Sequence, residues 1–408
     1  MDRIILHCDL NNFYASVECR KHPEWEGLPV AVAGNPEKRH GVVLAKNELA
    51  KSFGVKTGDV IWQAKQKAPD LVVVAPHFDE YMYFSKRAFD LYSDYTCYIE
   101  PFGPDECWLD CTGSTKLFGS GEQIADRIRA DMIERLDLTV SVGVSFNKIF
   151  AKIGSDLKKP NGTTVITREN FREKLFPLPV SDMMSIGRKT DEKLAKLNIR
   201  TIGDLAAADP AMLKSHFGIN GLKMHAYANG NDVEPVREYV KSRKIESVGH
   251  GMTALRDIDE LDDARAMIFY LCEMITTRMR KYKVRGTGVS VNLRSSNLKH
   301  ITRQKKLKVP TYATSEIAAC AFSLVVANKS SMPLRTVTVS VYGLIPYGGY
   351  VQTSMFDDKP NEKEESLERA VDEIRAKYGK KSISRAIVLG KDFIYDKTDA
   401  EDFLPFQR

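Results

Sequence analysis

The apolar positions of the chain fall into short runs separated by segments with helical spacing. Residues 4–10 form the first run, which predicts a buried strand ending at Asp9, and helical spacing begins after Asn11 and Asn12, the candidate N-caps. A small separate lobe is predicted over residues 20–77. Its expected elements are strands at 29–33 and 42–45 and helices at 46–53 and 61–68.

A mixed α/β sheet is predicted to continue beyond this lobe. Residues 80–95 carry aromatic side chains on one helical face, which is more typical of a packed core than of a base-stacking platform. The next expected elements are a hairpin (98–102 and 107–110), a helix (121–135) and a strand (139–144). This order indicates one sheet whose helices cover one face.

The second half of the chain is predicted to contain a helical segment, a tether and then a second α/β segment. Residues 166–232 are helical with short loops, and the charged stretch 233–245 is interpreted as a tether. A second β-α-β-β-α-β pattern follows, which we expect to share the topology of the first pattern but not its sequence. Its elements are predicted at 249–254, 262–280, 286–294, 303–309, 313–327 and 335–341, with an acidic helix at 362–378 and a short strand at 385–389 beyond it.

Composition narrows the class of protein. With 408 residues, 43% hydrophobic and 28% charged, the chain is typical of a globular protein with several domains. It has no apolar run of membrane-spanning length and no signal-peptide pattern, so we expect a cytoplasmic protein with no membrane partner. Its seven cysteines form no CxxC pair, which predicts reduced thiols rather than a zinc knuckle or a disulfide framework.

Positive charge is concentrated in one segment. The net charge is only +6, yet residues 278–308 contain eleven Lys and Arg and no Asp or Glu. Such a segment can bind polyphosphate through counterion release. The alternative, a solvated helix face, usually interleaves acidic residues, so a phosphate-binding surface is the favoured interpretation.

Three acidic residues form the candidate chemistry. Asp9 ends the first predicted strand, and Asp105 and Glu106 lie at the turn of a hairpin that can pair beside it. Carboxylates at adjacent strand ends, with the backbone carbonyl of Leu10, suit Mg²⁺, and two such ions about 3.5–4 Å apart stabilise both oxygens of a nucleotidyl transfer. Two acids in a turn are by themselves more often solvated loop residues, so the interpretation depends on the surrounding motifs.

Three motifs supply that context. HCDLNNFYASVE at 7–18, PDECWLD at 104–110 and SVGVSFNKIFAKIGSDLKKPNG at 141–162 resemble the Y-family translesion DNA polymerases, with the bacterial DNA polymerase IV and UmuC-like members nearest. The resemblance implies a multidomain α/β (α+β) fold shaped as a right hand. The implied parts are a ferredoxin-like palm (1–19 and 78–165), small fingers (20–77), an all-helical thumb (166–232), a linker (233–245), a β-α-β-β-α-β little finger (246–346) and a tail (347–408).

The resemblance also implies an activity and its cofactors. Members of the family add dNMP to a primer 3′-hydroxyl with low fidelity and bypass lesions, so primer–template DNA and dNTP are the expected partners of a monomeric enzyme. Two Mg²⁺ ions, for which Mn²⁺ can substitute, are the expected cofactors. The positions that match the family's metal ligands are Asp9, Leu10, Asp105 and Glu106, with the three acidic residues catalytic.

The nucleotide-binding side matches the family in part. Tyr14 falls on the aromatic residue that excludes ribonucleotides, and Lys159 falls on the lysine that meets the incoming phosphates. An ordinary core aromatic is the alternative for Tyr14. Backbone amides around Asn12 and Phe13, at a predicted helix N-terminus, are further candidates for binding triphosphate oxygens.

Three positions depart from the family pattern. Glu48 and Lys51 stand where the family commonly has a Tyr and an Arg that contact the triphosphate. Lys51 is therefore a candidate nucleotide-binding residue, which retains the charge of the arginine but not its bidentate fork. A carboxylate near phosphate is unfavourable unless it turns outward or pairs with Lys46 or Lys51. We therefore expect weaker dNTP binding than in a relative with Tyr and Arg. Pro104 removes one backbone donor beside the metal ligands without abolishing ligation.

Contacts to DNA are implied further along the chain. Residues 185–197 and 217–223 resemble helix-hairpin-helix elements that grip a backbone phosphate, with Gly187 and Lys189 as candidates. The alternative for the first is a plain helix start capped by Ser185. Four basic residues of the little finger are also expected to follow the phosphates: Arg285, Arg294, Arg303 and Lys305.

A last motif indicates a protein partner. QTSMF at 352–356 resembles the pentapeptide with which bacterial polymerases bind the sliding clamp, with Gln352, Met355 and Phe356 as the contacts. Five residues are a short signal, and an ordinary loop is the alternative.

Two other functions fit part of these observations. A nucleotidyl cyclase also places two carboxylates on a palm-like sheet, but it needs neither a phosphate-gripping helical domain nor a tethered basic domain. A catalytically inactive DNA-binding scaffold would not require the three acids, Tyr14 and Lys159 together. The polymerase interpretation accounts for all of these features.

Overall fold

The computed structural model describes residues 2–39, 41–238, 245–328, 332–348, 362–379 and 382–394. Spatial contacts divide these residues into two units. The first unit holds residues 2–34 and 41–238, and the second holds residues 245–394 of the described chain together with 35–39.

Two sheets and a helical segment make up the first unit. Its strands and the helices between them are, in chain order, β1 (Ile5–Leu10), α1 (Phe13–Lys21), β2 (Val30–Ala33), β3 (Val43–Lys46), α2 (Glu48–Ser52), α3 (Ile61–Lys67), β4 (Val72–Val74), α4 (Phe78–Tyr92), β5 (Ile99–Pro101), β6 (Glu106–Asp110), α5 (Thr115–Phe118), α6 (Gly121–Leu136), β7 (Val140–Ser145), α7 (Lys148–Leu157) and β8 (Thr163–Val165). The helical segment that follows consists of α8 (Phe171–Leu175), α9 (Arg188–Ala195), α10 (Ile202–Ala207), α11 (Pro210–Phe217) and α12 (Ile219–Ala228).

Strand β1 is central in the larger sheet, whose spatial order is β5–β6–β1–β7–β8. It pairs antiparallel with both β6 and β7, and all six of its residues are buried. Strands β7, β1, β6 and β5 follow the order of a ferredoxin-like β-α-β-β-α-β fold, to which β8 adds a parallel edge.

The prediction that helices cover one face of this sheet was wrong. Because side chains alternate along a strand, Leu6 and Cys8 pack with α4 and α6 on one face, while His7 points to the other face and its ring contacts Ser155 of α7. Helix α7 was not predicted. It lies so close against β7 that a Cβ atom added at Gly143 would overlap the Ala151 carbonyl oxygen.

The smaller sheet of the first unit has the order β3–β2–β4 and lies in the predicted lobe. The helices expected at 46–53 and 61–68 are α2 and α3, each shorter than predicted, and β4 was not predicted. Small side chains, among them Ala31, Ala50 and Ala64, form the core between this sheet and its two helices.

The second unit contains the other β-α-β-β-α-β pattern. Its elements are β9 (Ser247–Ile258), α13 (Leu261–Lys281), β10 (Val284–Ser295), β11 (His300–Thr311), α14 (Thr314–Asn328), β12 (Leu334–Tyr342), β13 (Ile345–Pro346) and α15 (Glu362–Tyr378). The spatial order is β11–β10–β12–β9, so the first strand of this pattern lies at the sheet edge, whereas β1 is central. The prediction of a shared topology was therefore wrong, because the order of elements along the chain does not determine which strands pair.

The C-terminal segment packs on the sheet and helices of the second unit. The acidic helix α15 is present over the predicted residues, but the strand expected at 385–389 is a short 3₁₀ helix, Ala386–Val388. Phe393 is fully buried in the core of this unit. No helix among the described residues has the length and apolar character needed to cross a membrane.

Candidate active site

The three predicted acidic residues meet at one end of the larger sheet. Asp9 lies opposite Glu106 in the pairing of β1 with β6, and the Leu10 amide donates to the Asp105 carbonyl oxygen at 3.0 Å. All three carboxylates line one cavity of about 350 Å³. Antiparallel pairing of β1 with the hairpin is therefore what brings together acids that are nearly a hundred residues apart in the sequence.

Two of the three carboxylates are paired with lysines. Lys159 Nζ lies 2.7 Å from Asp9 Oδ2 and 2.8 Å from Asp156 Oδ1. Burial opposes the charge on Lys159, but Asp9 and Asp156 hold the pKa of its ammonium group above the ordinary value. Burial raises the pKa of Asp9 despite this ion pair.

Glu106 is contacted by two basic side chains, those of Lys152 and His7. Lys152 of α7 donates to Glu106 Oε2, and His7 Nε2 lies 3.4 Å from the same oxygen. Burial opposes ionisation of Glu106, but His7 and Lys152 lower its pKa to about 2. The imidazole of His7 is fully buried, its Nδ1 lies 2.8 Å from Ser155 Oγ, and burial lowers its pKa. Neither Lys152 nor His7 was singled out from the sequence, because their function depends on the approach of α7 to β1.

Asp105 differs from its two neighbours. None of the described residues forms an ion pair with it. Burial, followed by the negative charges of Asp9 and Glu106, raises the pKa of Asp105 to about 7. Burial and repulsion from the two neighbouring acids therefore both favour the protonated form of Asp105.

The donors in this cavity suit a divalent cation, although the side chains do not form a ready-made cage. Within the described chain, no three Asp, Glu, His or Cys side chains are grouped as metal ligands. Lysine ammonium groups instead contact Asp9 and Glu106. Hard carboxylate oxygens, with one charge left uncompensated at Asp105, are nevertheless the donor type that Mg²⁺ prefers.

Tyr14 lies on the wall of the same cavity, where its ring is held by other aromatic rings. It stacks on Tyr81 with centroids 4.3 Å apart and planes 14° apart, and it meets Phe78 edge-on at 5.9 Å. The Tyr81 hydroxyl donates to Glu18, a carboxylate that is only 1% exposed and also contacts His77 Nδ1 at 2.9 Å. The aromatic face predicted on α4 thus belongs to the core, as expected, and it also fixes the ring of Tyr14.

The start of α1 contributes the next part of the wall. Asn12 and Phe13 both line the cavity, and Asn12 is the N-cap residue of α1 with a left-handed φ of 50°. Asn12 forms no side-chain cap, and its side-chain amide nitrogen donates to Glu48 Oε1 at 2.9 Å. Glu48 therefore pairs across to α1 as well as to Lys51, 3.4 Å away.

The cationic residue that the lobe contributes to the cavity wall is not the predicted one. Lys51 has a side chain that is 49% exposed and does not line the cavity, whereas Lys46 and Thr57 do. Pro104 lines the cavity too, and its carbonyl oxygen accepts a hydrogen bond from Ser85.

The predicted DNA-binding residues are distributed over both units. In the first unit, Gly187 is the N-cap of α9 and Lys189 follows in its exposed first turn. Ser185 does not cap this helix and has a left-handed φ of 74°. In the second unit, Arg294 is exposed on β10, and Arg303 and Lys305 are exposed on the edge strand β11.

Arg285 is placed differently from the other three basic residues of this unit. Its guanidinium group lies 2.9 Å from Glu365 of α15 and next to the rings of Tyr312 and Tyr347. Arg280 of the same basic segment pairs with Asp372 at 2.5 Å. The segment 278–308 thus meets acidic side chains from α15, which lie far away in the sequence. The predicted clamp contacts Gln352, Met355 and Phe356 fall outside the described residues.

Comparison with known families places this geometry in context. The impB/mucB/samB family matches residues 8–156, its C-terminal domain matches residues 245–355, and the IMS family HHH motif matches residues 168–199. The first match contains all three acids, and the third contains Gly187 and Lys189.

Curated relatives cover almost the whole chain. The chain is 44% identical over 391 residues to DNA polymerase IV of Acetivibrio thermocellus, covering 95% of this chain and 98% of the relative. It is 36% identical over 399 residues to DNA polymerase IV of Clostridium kluyveri, covering 96% and 99%.

Solved structures of DNA polymerases have a fold similar to that of this chain. A Y-family DNA polymerase chimera of Dbh and Dpo4 superposes with a TM-score of 0.74 at 25% identity, covering 84% of this chain and 99% of that one. An insertion ternary complex of Dbh DNA polymerase gives 0.61 at 26% identity with the same coverage. The expected Y-family polymerase fold with a separate C-terminal little-finger domain is thereby confirmed. The chain belongs to the DNA polymerase IV group of the Y-family, the translesion DNA polymerases of DNA repair and damage tolerance.

Proposed function

We propose that the chain adds dNMP to a primer 3′-hydroxyl by two-metal-ion nucleotidyl transfer, in the cavity lined by Asp9, Asp105 and Glu106. One observation carries the proposal: the three carboxylates share this cavity with Tyr14 and Lys159. A nuclease would require the carboxylates but not the Tyr14 ring, which is proposed to lie below the incoming sugar. A DNA-binding scaffold would have use for neither.

The proposed metal ligands are the three carboxylates and the backbone carbonyl of Leu10, with Mg²⁺ as the ion and Mn²⁺ as its substitute. Mg²⁺ keeps water and substrate phosphate oxygens in its shell, so it needs few ligands from the protein. When bound, the ions stabilise charge on the attacking and leaving oxygens. Asp105 would gain most from a cation, since its charge is uncompensated and its pKa is raised to about 7.

The lysines and His7 prepare the carboxylates for this role. A carboxylate must be ionised to bind a metal, and Lys152 and His7 keep Glu106 ionised at neutral pH. Lys159 favours the charged form of Asp9, although burial still raises the pKa of that carboxyl group, and Lys159 is also the proposed contact to the incoming phosphates. The backbone amides of Asn12 and Phe13, at the start of α1, are proposed to donate to triphosphate oxygens.

Sugar selection is assigned to Tyr14. Its ring cannot easily turn aside, because it is stacked on Tyr81 and Tyr81 is anchored to the buried Glu18. A ring fixed below the sugar would collide with a ribose 2′-hydroxyl. The proposed enzyme therefore prefers dNTP to rNTP.

We assign the parts of the hand as palm (1–19 and 78–165), fingers (20–77), thumb (166–232), linker (233–245), little finger (246–346) and tail (347–408). Primer–template DNA is the proposed partner. Its phosphates would be met by Gly187 and Lys189 of the thumb and by three exposed basic residues of the little finger: Arg294, Arg303 and Lys305. Arg285 is a weaker candidate, since Glu365 already pairs with it.

Further partners rest on the sequence alone. A sliding clamp is proposed to bind Gln352, Met355 and Phe356, and the enzyme is proposed to act as a cytoplasmic monomer. Loss of clamp-stimulated primer extension when Gln352 and Phe356 are replaced by Ala would support clamp binding. Unaltered stimulation would contradict it.

Primer extension tests the catalytic proposal directly. The variant D105A/E106A should lose extension on undamaged and abasic templates, while E122A/E134A should retain it, because it removes two exposed carboxylates of α6, a helix that packs on the same sheet. Extension that survives in D105A/E106A would contradict the mechanism. Replacing dNTP by rNTP in the wild type and in Tyr14→Ala tests the sugar assignment in the same assay.

A further inference from the structure

Lys46 occupies a position in the cavity to which no function has been assigned. It is the last residue of β3 and lines the cavity with Asp9, Asn12 and Lys159. Lys51, which stands where the family commonly has a phosphate-binding arginine, does not line the cavity. We propose that Lys46 is a triphosphate-binding residue of this chain and supplies the cationic contact expected from position 51. The proposal rests on the proposed polymerase function.

The ammonium group of Lys46 contacts a second residue that lines the cavity. Its Nζ donates to Thr57 Oγ1 at 3.2 Å, and Thr57 lines the cavity as well. The backbone of Lys46 is paired with Ala31 in the smaller sheet. Lys51 lies instead on the five-residue helix α2. Lys46 is therefore held by a sheet at the cavity, whereas Lys51 is not.

The charge of Lys51 is already compensated, while that of Lys46 is not. Glu48 Oε1 lies 3.4 Å from Lys51 Nζ and also accepts a hydrogen bond from Asn12. No carboxylate in the described part of the chain lies within ion-pair distance of Lys46. A polyanion entering the cavity would thus meet Lys46 without first displacing a protein carboxylate.

The surroundings of Lys46 are those of an anion-binding wall. Burial, followed by the positive charge of Lys51, lowers the pKa of Lys46, and the charge of Lys159 adds to this. Glu48 and Asp59 oppose the effect but do not reverse it. Lys46 and Lys159, which both line the cavity, repel each other there, and a bound triphosphate would relieve that repulsion.

Lys46 and Lys159 approach the cavity from different elements. Lys46 comes from the smaller sheet, and Lys159 follows α7 of the larger one. The start of α1 lies on the same cavity and adds backbone amides. A phosphate chain placed in this cavity could therefore have cationic or N–H donors on more than one side. The chemical class that fits is a nucleoside triphosphate, recognised through its phosphates.

The test compares Lys46→Ala, Lys46→Gln and Lys46→Arg with Lys51→Ala. Two quantities are measured for each variant: the KM for dNTP in primer extension, and the Kd of dNTP for a complex whose primer lacks a 3′-hydroxyl. Removing a charge-assisted contact should raise both by about tenfold in K46A and K46Q, with a smaller change in kcat. K46R should stay near the wild type, and K51A should change less than K46A.

Inhibition by inorganic tripolyphosphate isolates the phosphate contact from base and sugar. Its inhibition constant should rise in K46A and K46Q more than in K51A. The inference fails if K46A and K46Q leave the KM, the Kd and this constant unchanged, or if K51A has the larger effect. An inactive wild type would instead contradict the polymerase function itself. K46R keeps a positive charge at the same position, so wild-type values for K46R beside losses in K46A and K46Q assign the effect to the charge rather than to a folding defect.

Discussion

Asp105 should make the protein less stable at alkaline pH when divalent ions are removed. Burial and the charges of Asp9 and Glu106 raise its pKa from the ordinary value of 3.8 to about 7. At 1.36 kcal/mol for each pH unit, this shift corresponds to about 4 kcal/mol. Because the native pKa is the higher one, the stabilisation from the bound proton is complete below pH 3.8 and is lost as the pH rises through about 7.

Asp105→Asn removes this dependence, because the amide has the shape of the carboxyl group but does not ionise. We expect D105N to be more stable than the wild type at about pH 8.5, by up to about 4 kcal/mol. At about pH 5.5 the native wild type is protonated at Asp105, so the difference should narrow by about 2 kcal/mol. The variant should be inactive as a polymerase. Its gain in the free energy of unfolding then measures how much the Asp105 carboxylate destabilises the native protein.

Denaturant unfolding at the two pH values, with a chelator present, measures these differences. Glu106→Gln is the matched control, because its carboxylate has the opposite shift: His7 and Lys152 hold the pKa at about 2, below the ordinary 4.5. Its stabilisation is present above pH 4.5 and is lost as the pH falls through about 2. E106Q should therefore be less stable than the wild type at about pH 8.5, by about 3 kcal/mol. A D105N protein no more stable than the wild type, or a difference that does not vary with pH, would refute the reasoning.

Three further predictions concern the supporting residues. Tyr81→Leu removes the ring on which Tyr14 stacks, so the ratio of kcat/KM for dNTP over rNTP should fall by about three- to tenfold; an unchanged ratio would contradict the role of the stack. His7→Phe removes a contact to Glu106 and should weaken Mn²⁺ binding, measured by electron paramagnetic resonance, by about 10- to 100-fold, and an unchanged affinity would show that His7 does not orient the ligand. Phe393→Ala should destabilise the second unit by about 3–5 kcal/mol in denaturant unfolding, because the ring is fully buried; stability equal to the wild type would mean that the C-terminal segment contributes little.

Local patterns in the sequence were sufficient for most elements but not for their arrangement. The β-branched run before Asp9 predicted β1, and the long helices α13 and α15 were expected within a residue or so of their observed bounds. Pairing order is a property of the whole sheet, so the edge position of β9 and the central position of β1 could not be read from similar element orders. Helix α7 was not predicted, because residues 141–162 were interpreted only as a family signature and not for their helical spacing.

The same distinction holds for the cavity. Asp9, Asp105, Glu106, Tyr14 and Lys159 could be selected because each lies in a short motif, and they line one cavity. Lys46 could not be selected. Its position depends on the pairing of β3 with β2, whereas the motif alone favoured Lys51.

Helix α7 links the fold to the charge state of the carboxylates. Lys152 and Ser155 lie on this helix, where one contacts Glu106 directly and the other contacts the His7 ring beside it. Their reach depends on how closely α7 packs, and Gly143 permits that approach because a side chain there would strike the helix backbone. A glycine in the sheet thus permits the close packing of α7 through which Lys152 and His7 favour the charged form of Glu106. Asp105 has no such partner, so of the three acids it is the one whose charge a divalent cation would compensate most directly.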